Sequence, residues 1–542
     1  MTGPLTSTLT EHLGASGSSA GDIALAAEEI APPEPIDSIL PPEGVVAARI
    51  SDVAAAARTL RVGRIDVAGV RGCAGAAVAA AIARDGRRVV FVAQDLEAAR
   101  RAAEDVSFLV HGTSDEDAED TGEGDVLVFA ANESSPYAGV NPDRRAAMSR
   151  MATLFHLAHE RPWRVLLVPA CGLARKVVPR GELAKRADRI LAESEIDRDA
   201  LVLTLVESGY LRVPIVEDPG SFAVRGALLD VWPPSSDAPV RVELYGQLIL
   251  SLKPFDPADQ KTKKDAAERK VLWLPPVREA ILDARNVARA RDCVTQLAEA
   301  IDWPTTKTRT LADDVANGRP FFGADGFLPA YYEDLASPFD YIPEDAVVIL
   351  DDPPSVTRAL RDELTRAATG AGEEARRMDG PSFPIRAFFR EEDDVARDLE
   401  SRAVVALHRT AIGGASEGGM SAFETSTNAL DLASRDHDDL TRAMKSARSS
   451  KGKSTSLAPL VRRVEHWQRH GLAVIIAARS QTQAERIVTL LHHQGVECRV
   501  RLGPFDPGWM AERHDHALIV VGPLRRGAVL PADGLALVTE EE

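Results

Sequence analysis

The sequence predicts an α/β protein: a doubly wound parallel-sheet domain, an inserted α+β domain and a smaller α/β unit after it. Three observations carry this. Short apolar strands alternate with helical stretches from about residue 46 to 180. Half-buried alternating strands joined by Pro and Gly turns then take over, most plainly in Ser221 to Leu252, and a helix and strand rhythm returns beyond residue 457.

Residues 1–45 mix Ser, Gly, Ala and Pro, including Pro32-Pro33-Glu34-Pro35 and Pro41-Pro42, and are expected to form a disordered tail. Residues 46–180 form the first part of the parallel-sheet domain. Strands are expected at Arg64–Ala68, Arg88–Val92, Val126–Phe129 and Val165–Val168, helices at Ala76–Arg84 and Leu96–Phe108, with an acidic loop at Ser114–Asp120. The inserted domain takes 181–275. Its parent resumes over 276–410 with the strand Ala346–Leu350, and the Gly, Ser and Thr content of 411–456 predicts a flexible linker. The small α/β domain, 457–542, has predicted helices Leu457–His470 and Gln481–His493 and strands at Ala473–Ala477, Val496–Leu502 and Ala517–Val521.

A chain of 542 residues is too long for one core and divides into roughly three or four folding units. No apolar run approaches the roughly 20 residues that span a bilayer, and no basic start precedes an apolar core, so a cytoplasmic protein without membrane partners is expected. Cys73, Cys171, Cys293 and Cys498 lie far apart without a CxxC pair, against both a zinc site and a disulfide framework. The net charge of −18 opposes a phosphate backbone, so DNA binding is expected to be weak or indirect.

Gly69-Val70-Arg71-Gly72-Cys73-Ala74-Gly75-Ala76 falls between a strand and a helix, where a phosphate-binding loop belongs. A working loop ends in Gly-Lys-Ser/Thr, the Lys reaching the outer phosphates and the hydroxyl holding magnesium. Ala74, Gly75 and Ala76 stand at those positions, so neither the cation nor the metal ligand is present. No catalytic residue, cofactor or metal is expected. Asp351-Asp352, after an apolar strand, has the shape of a metal-binding acidic motif but is expected to be a solvated strand end. Gly452-Lys453-Ser454-Thr455 lacks a preceding strand, and Gly414-Ala415-Ser416-Glu417-Gly418 lies in Gly-rich sequence, so both read as loop. His466 and His470 share a helix face without a converging carboxylate or thiolate.

The positive signal is in the inserted domain. Period-two alternation puts Val240, Val242 and Leu244 on one face of a strand and Arg241, Glu243 and Tyr245 on the other. Arg and Tyr are enriched at binding hot spots. Arg225, in an expected neighbouring strand Phe222–Trp232, shares a face with the small Ala223 and Ala227, leaving its guanidinium room to reach outward.

The run Gly220-Ser221-Phe222-Ala223-Val224-Arg225-Gly226-Ala227-Leu228-Leu229-Asp230-Val231-Trp232-Pro233, then Arg241-Val242-Glu243-Leu244-Tyr245, then Pro254-Phe255-Asp256-Pro257 with Gln260, resembles the UvrB interaction domain. That domain is shared by the repair helicase UvrB and bacterial transcription-repair coupling factors. Ser135-Pro136-Tyr137, Arg150-Met151-Ala152-Thr153-Leu154, Val165-Leu166-Leu167-Val168-Pro169 and Leu274-Pro275-Pro276-Val277-Arg278-Glu279 fit in order, so the likeness covers residues 60 to 410 and more loosely the C-terminal unit. The altered loop points to the coupling factors, whose phosphate loop here is degenerate where that of UvrB is intact. The resemblance implies a degenerate RecA/helicase-like domain with an inserted UvrA-binding domain. It implies UvrA as the partner, with contacts at Arg225, Arg241 and Tyr245 beside Glu243; Tyr245 stands where the family has Phe, and Gln247 where it has an acid. RNA polymerase binding and ATP-driven translocation belong to later domains of the family, so the motor and polymerase-binding part is expected outside this chain and is a further potential partner. Part of a split DNA-dependent translocase and a stand-alone DNA-binding repair module are the competing readings.

Overall fold

The structure, a computed structural model, describes residues 46–110, 124–131, 134–141, 143–186, 189–262, 267–377, 380–410, 429–449, 457–503, 505–510 and 515–542. Aliphatic and β-branched runs form the first strands, Gly63–Ala68 (β1), Val89–Ala93 (β2), Val126–Val128 (β3) and Val165–Pro169 (β4). The chain then leaves this sheet for Arg189–Leu191 (β5), Leu211–Arg212 (β6), Ser221–Arg225 (β7), Leu228–Trp232 (β8), Val240–Tyr245 (β9), Leu248–Pro254 (β10) and Val271–Trp273 (β11). It returns with Val347–Asp351 (β12), Ala403–Leu407 (β13) and Leu430–Asp431 (β14). The resulting sheet has the order β14-β1-β13-β12-β2-β4-β3, and every pairing in it is parallel. Strands β2, β4 and β13 are buried along their whole length, which is why they read as continuous apolar runs and not as alternation.

The inserted strands build a separate five-stranded sheet, β10-β9-β8-β7-β6, with β11 pairing β5 beside it. Phe222–Trp232, expected as one strand, is a hairpin of β7 and β8, because Gly226 takes φ +60° and reverses the chain. The insert packs on the parent through Gly220. Its φ is +75°, its carbonyl accepts from Arg144 Nη2 at 3.0 Å, and a Cβ there would meet Met148 Sδ at 2.7 Å.

Where a linker was expected over 411–456, the described part is structured. Leu430–Asp431 adds β14 to the parallel sheet, and Asp438–Ser449 is helical, with Leu440 and Met444 buried in a core that holds Val464 and Trp467. After it, Ala473–Ala478 (β15), Cys498–Arg501 (β16), Ala517–Val521 (β17), Ala528–Leu530 (β18) and Leu535–Thr539 (β19) make a sheet ordered β16-β17-β15-β19-β18. This sheet shares one apolar core with the helices Ala74–Arg84 and Leu96–Val110 of the parent domain. Phe108 and Phe505 pack as tilted rings with centroids 5.3 Å apart, and buried Asp105 accepts the Arg525 amide at 2.6 Å. Burial raises the Asp105 carboxyl to about 7. No helix among the described residues is long and apolar enough to cross a membrane.

Two fragments of the family resemblance meet inside the parent domain. Arg150 Nε and Nη2 donate to Glu279 Oε1 and Oε2 at 3.0 and 2.8 Å, and Arg150 Nη1 donates to the Ala130 carbonyl at 2.9 Å. Burial works against the Glu279 carboxylate, but the guanidinium outweighs it and holds the carboxyl below its usual range. Removing one partner leaves a buried charge alone, so Arg150→Ala is expected to lower stability by about 3–5 kcal/mol. Urea unfolding measures this, and the pair exchange Arg150→Met with Glu279→Leu is expected to cost less than Arg150→Ala.

Candidate partner-binding face and the loop at the phosphate position

The insert's sheet has two unlike faces. On one, Phe222, Leu229, Val231, Val240, Val242 and Leu244 are buried against the helix Arg198–Glu207, as the alternation in β9 predicts. On the other, register places Ala223, Asp230 and Arg241 in one row across β7, β8 and β9. Asp230 is buried, and both arginines converge on it. Arg241 Nε donates to Oδ1 at 2.7 Å and Nη2 to Oδ2 at 3.0 Å, while Arg225 Nη2 donates to Oδ2. Arg241 Nη1 donates to the Gln260 carbonyl at 3.1 Å, and its guanidinium lies 4.7 Å from the Phe255 ring centre. Val216, Ala223 and Phe255 form a small second core under this cover.

Three separated stretches of the sequence resemblance therefore meet in one cluster: Asp230 and Arg225 from the first, Arg241 from the second, Phe255 and Gln260 from the third. Gln260 reaches its place at φ +60°, its side-chain amide donating to Val216 O at 3.1 Å and Pro257 O at 2.8 Å. Glu243 is held as well. Its Oε2 accepts from Ser251 Oγ at 2.6 Å and Lys253 Nζ at 3.4 Å, and the Ser251 bond comes first among the causes that keep its carboxyl below the usual range.

Of the four expected contact residues, Arg225, Arg241 and Glu243 share this face and Tyr245 stands at the end of β9. They differ in what they present. The Arg241 side chain is 14% exposed and its donors are spent inside the protein, whereas Arg225 is 41% exposed and Tyr245 78%. Arg225 also departs from expectation. It folds back onto Asp230 and does not reach outward, and Ala227 lies in the turn between β7 and β8 and not beside it on a strand. Asp230, given no role from sequence, organises the cluster. An acid at the middle of a strand, on the same face as two arginines, was the available signal.

The stretch Gly69–Ala76 leads from β1 into the first turn of the helix Ala74–Arg84, where expected. Three of its amides are engaged within the protein. Val70 N donates to His408 O at 2.9 Å, Arg71 N to Ser434 Oγ at 2.8 Å and Ala74 N to Arg71 O at 3.1 Å; the Ser434 hydroxyl in turn donates to Gly69 O at 2.7 Å. The C-terminal unit closes over it: Gly72 has φ +57°, and a Cβ there would lie 1.9 Å from the Gly527 carbonyl oxygen. Ala74, Gly75 and Ala76 are buried. Asp351 and Asp352 are not a solvated strand end. Both are half-buried, burial raises the Asp351 carboxyl, and Asp352, at φ +62°, accepts from Ser355 Oγ as the helix Pro353–Arg377 begins.

His470 Nδ1 lies 2.8 Å from the His466 carbonyl, and among the described residues no group of three His, Cys, Asp or Glu is placed to hold a metal ion. The expected tail 1–45, the acidic loop 114–120, Gly414–Gly418 and Gly452–Thr455 lie outside the described residues.

Residues 189–273 match the UvrB interaction domain, which defines the insert as a module of that class. Over 463 residues the chain is 34% identical to the transcription-repair-coupling factor of Myxococcus xanthus, covering 84% of this chain and 36% of that protein. It is 27% identical over 477 residues to that of Mycobacterium bovis, covering 86% and 36%, and 26% identical over 301 residues to that of Bacillus subtilis, covering 53% and 24%. The resemblance drawn from the sequence thus holds: the chain is similar, over most of its length, to the UvrB-like region of transcription-repair-coupling factors. It spans about 36% of the length of the first two relatives.

Substituting Gly72 tests the packing over the loop. Gly72→Ala puts a side chain at positive φ, a strain of about 1–3 kcal/mol, and against the Gly527 carbonyl. A lower melting temperature and faster proteolysis in the C-terminal unit are expected; an unchanged melt contradicts the close approach.

Proposed function

We propose that this chain recruits UvrA in transcription-coupled nucleotide excision repair, acting through the Asp230-centred face of the inserted domain, residues 181–275. The observation that carries it is the division of labour on that face. Asp230 anchors both guanidiniums, Arg241 through two nitrogens and Arg225 through one, so Arg241 and Glu243 act as positioning residues while Arg225 and Tyr245 meet the partner. A fixed guanidinium pairs well with a partner carboxylate, and Tyr supplies rigid contact area at small entropic cost.

The chain acts as an adaptor and not as an ATPase. With no lysine at Gly75 and no hydroxyl at Ala76, the loop Gly69–Ala76 has neither the charge nor the metal ligand that phosphoryl transfer demands. The committed amides of Val70, Arg71 and Ala74 support the same reading. DNA contact is weak or indirect in this account because the chain carries a charge of −18, and the setting is the cytoplasm. The motor and polymerase-binding functions of coupling factors lie in other parts of that family.

Calorimetric titration with UvrA from the same organism, alongside thermal melts, tests the proposal. Tyr245→Ala is expected to weaken binding by about 2 kcal/mol, roughly thirtyfold, with an unchanged melt. Arg241→Ala is expected to lower both affinity and melting temperature, since it strips Asp230 of its bidentate partner. Wild-type affinity in Tyr245→Ala, or no binding by the wild type, contradicts the assignment.

A further inference from the structure

The hairpin that ends in Tyr245 carries more apolar surface than a solvent-facing turn needs. Leu248 is the direct cross-strand partner of Tyr245. The register of β9 and β10 then slips between Ile249 and Ser251, so Leu250 is an extra residue opposite no partner, and it is 51% exposed. Bulges re-aim side chains and recur next to functional sites. Ile249 on one side of the slip is fully buried and Ser251 on the other is bonded to Glu243, so the bulge keeps both inward contacts while turning a leucine outward.

Recognition by strand addition does not fit this edge. The outer rim of β10 is already hydrogen-bonded: Ile249 N donates to Ser194 O at 2.9 Å, Glu193 N to Ile249 O at 2.9 Å, Ile196 N to Gln247 O at 2.8 Å and Arg269 N to Leu252 O at 2.9 Å. With the backbone occupied, the hairpin offers its side chains. Tyr245, Leu248 and Leu250 are the exposed apolar side chains of the hairpin, and Arg225 lies on the same sheet, one of its nitrogens engaged by Asp230 and its side chain half exposed.

Resting on the UvrA reading above, we infer that Leu248 and Leu250 are specificity-determining contacts of the same site, and that they and Tyr245 receive an apolar patch of UvrA bordered by a carboxylate facing Arg225. Burying exposed leucines in a desolvated contact adds affinity without a matching change in fold stability, because these side chains hold no core position.

The test titrates UvrA into wild type, the Leu248→Ser/Leu250→Ser pair, Leu250→Ser alone, the Leu248→Met/Leu250→Met pair, and Leu203→Ser. Leu203 is an exposed control on the helix that covers the opposite face of the sheet. The Ser pair is expected to bind at least about tenfold more weakly, and Leu250→Ser about threefold, with melts unchanged; the Met pair, which keeps the apolar surface, is expected to retain more affinity than the Ser pair, and Leu203→Ser binds as wild type. Leu250→Ser keeps the proposal testable should the Ser pair melt early. Wild-type affinity in both Ser variants, while Tyr245→Ala still loses binding, overturns this inference and leaves the UvrA reading standing. Equal losses in Leu203→Ser overturn it too. No binding by the wild type removes both.

Discussion

A carboxylate buried at the centre of a five-stranded sheet is costly unless it is fully paired, and Asp230 meets that condition only because three hairpin strands bring two arginines to it. Arg241 approaches with two nitrogens and spends its third on the Gln260 carbonyl; Arg225 closes the remaining side. The loop after β10 is tied to the same group, since Phe255 lies under the Arg241 guanidinium and Gln260 needs its positive φ to present its carbonyl. The shape of the face thus follows from satisfying one charge. What remains outside the network, Tyr245, half of Arg225 and the leucines of the bulge, is what a partner can use.

The parent domain shows the same economy applied to a different end. A strand, a glycine-rich turn and a helix of small residues are the scaffold of a phosphate loop, and here they serve packing. Ala74, Gly75, Ala76 and the alanines after them let the helix lie close to β2 and β4 and share a core with the C-terminal sheet, while His408 and Ser434 take the amides of Val70 and Arg71 at the start of the turn. Gly72 is constrained by its positive φ and by the Gly527 carbonyl packed against it.

Much of this was legible in the sequence because it rests on local periodicity. The buried runs of β2, β4 and β12, the alternation of β9 and the missing lysine at Gly75 are all properties of single segments. The pairing of Arg225 and Arg241 through Asp230 was not, since it depends on the register of three strands and on a reversal at Gly226 inside what reads as one strand. Strand β13, only Ala-Val-Val-Ala-Leu, is too short for periodicity to distinguish strand from buried helix. The helix Asp438–Ser449 has two apolar anchors, Leu440 and Met444, in polar surroundings, and tertiary packing holds it where propensity gives little sign.

Whether UvrA sits on the Asp230-centred face is read most directly by amide hydrogen exchange, which alters no residue. The turns Gly226-Ala227 and Gly246-Gln247, which flank the face, are exposed in the free chain, and their amides exchange fast enough for protection to register. Saturating UvrA is expected to slow exchange at both turns while leaving the loop Gly69–Ala76 as it was. Unchanged exchange at both turns, with UvrA demonstrably bound, contradicts the assignment of this face as the recruiting surface.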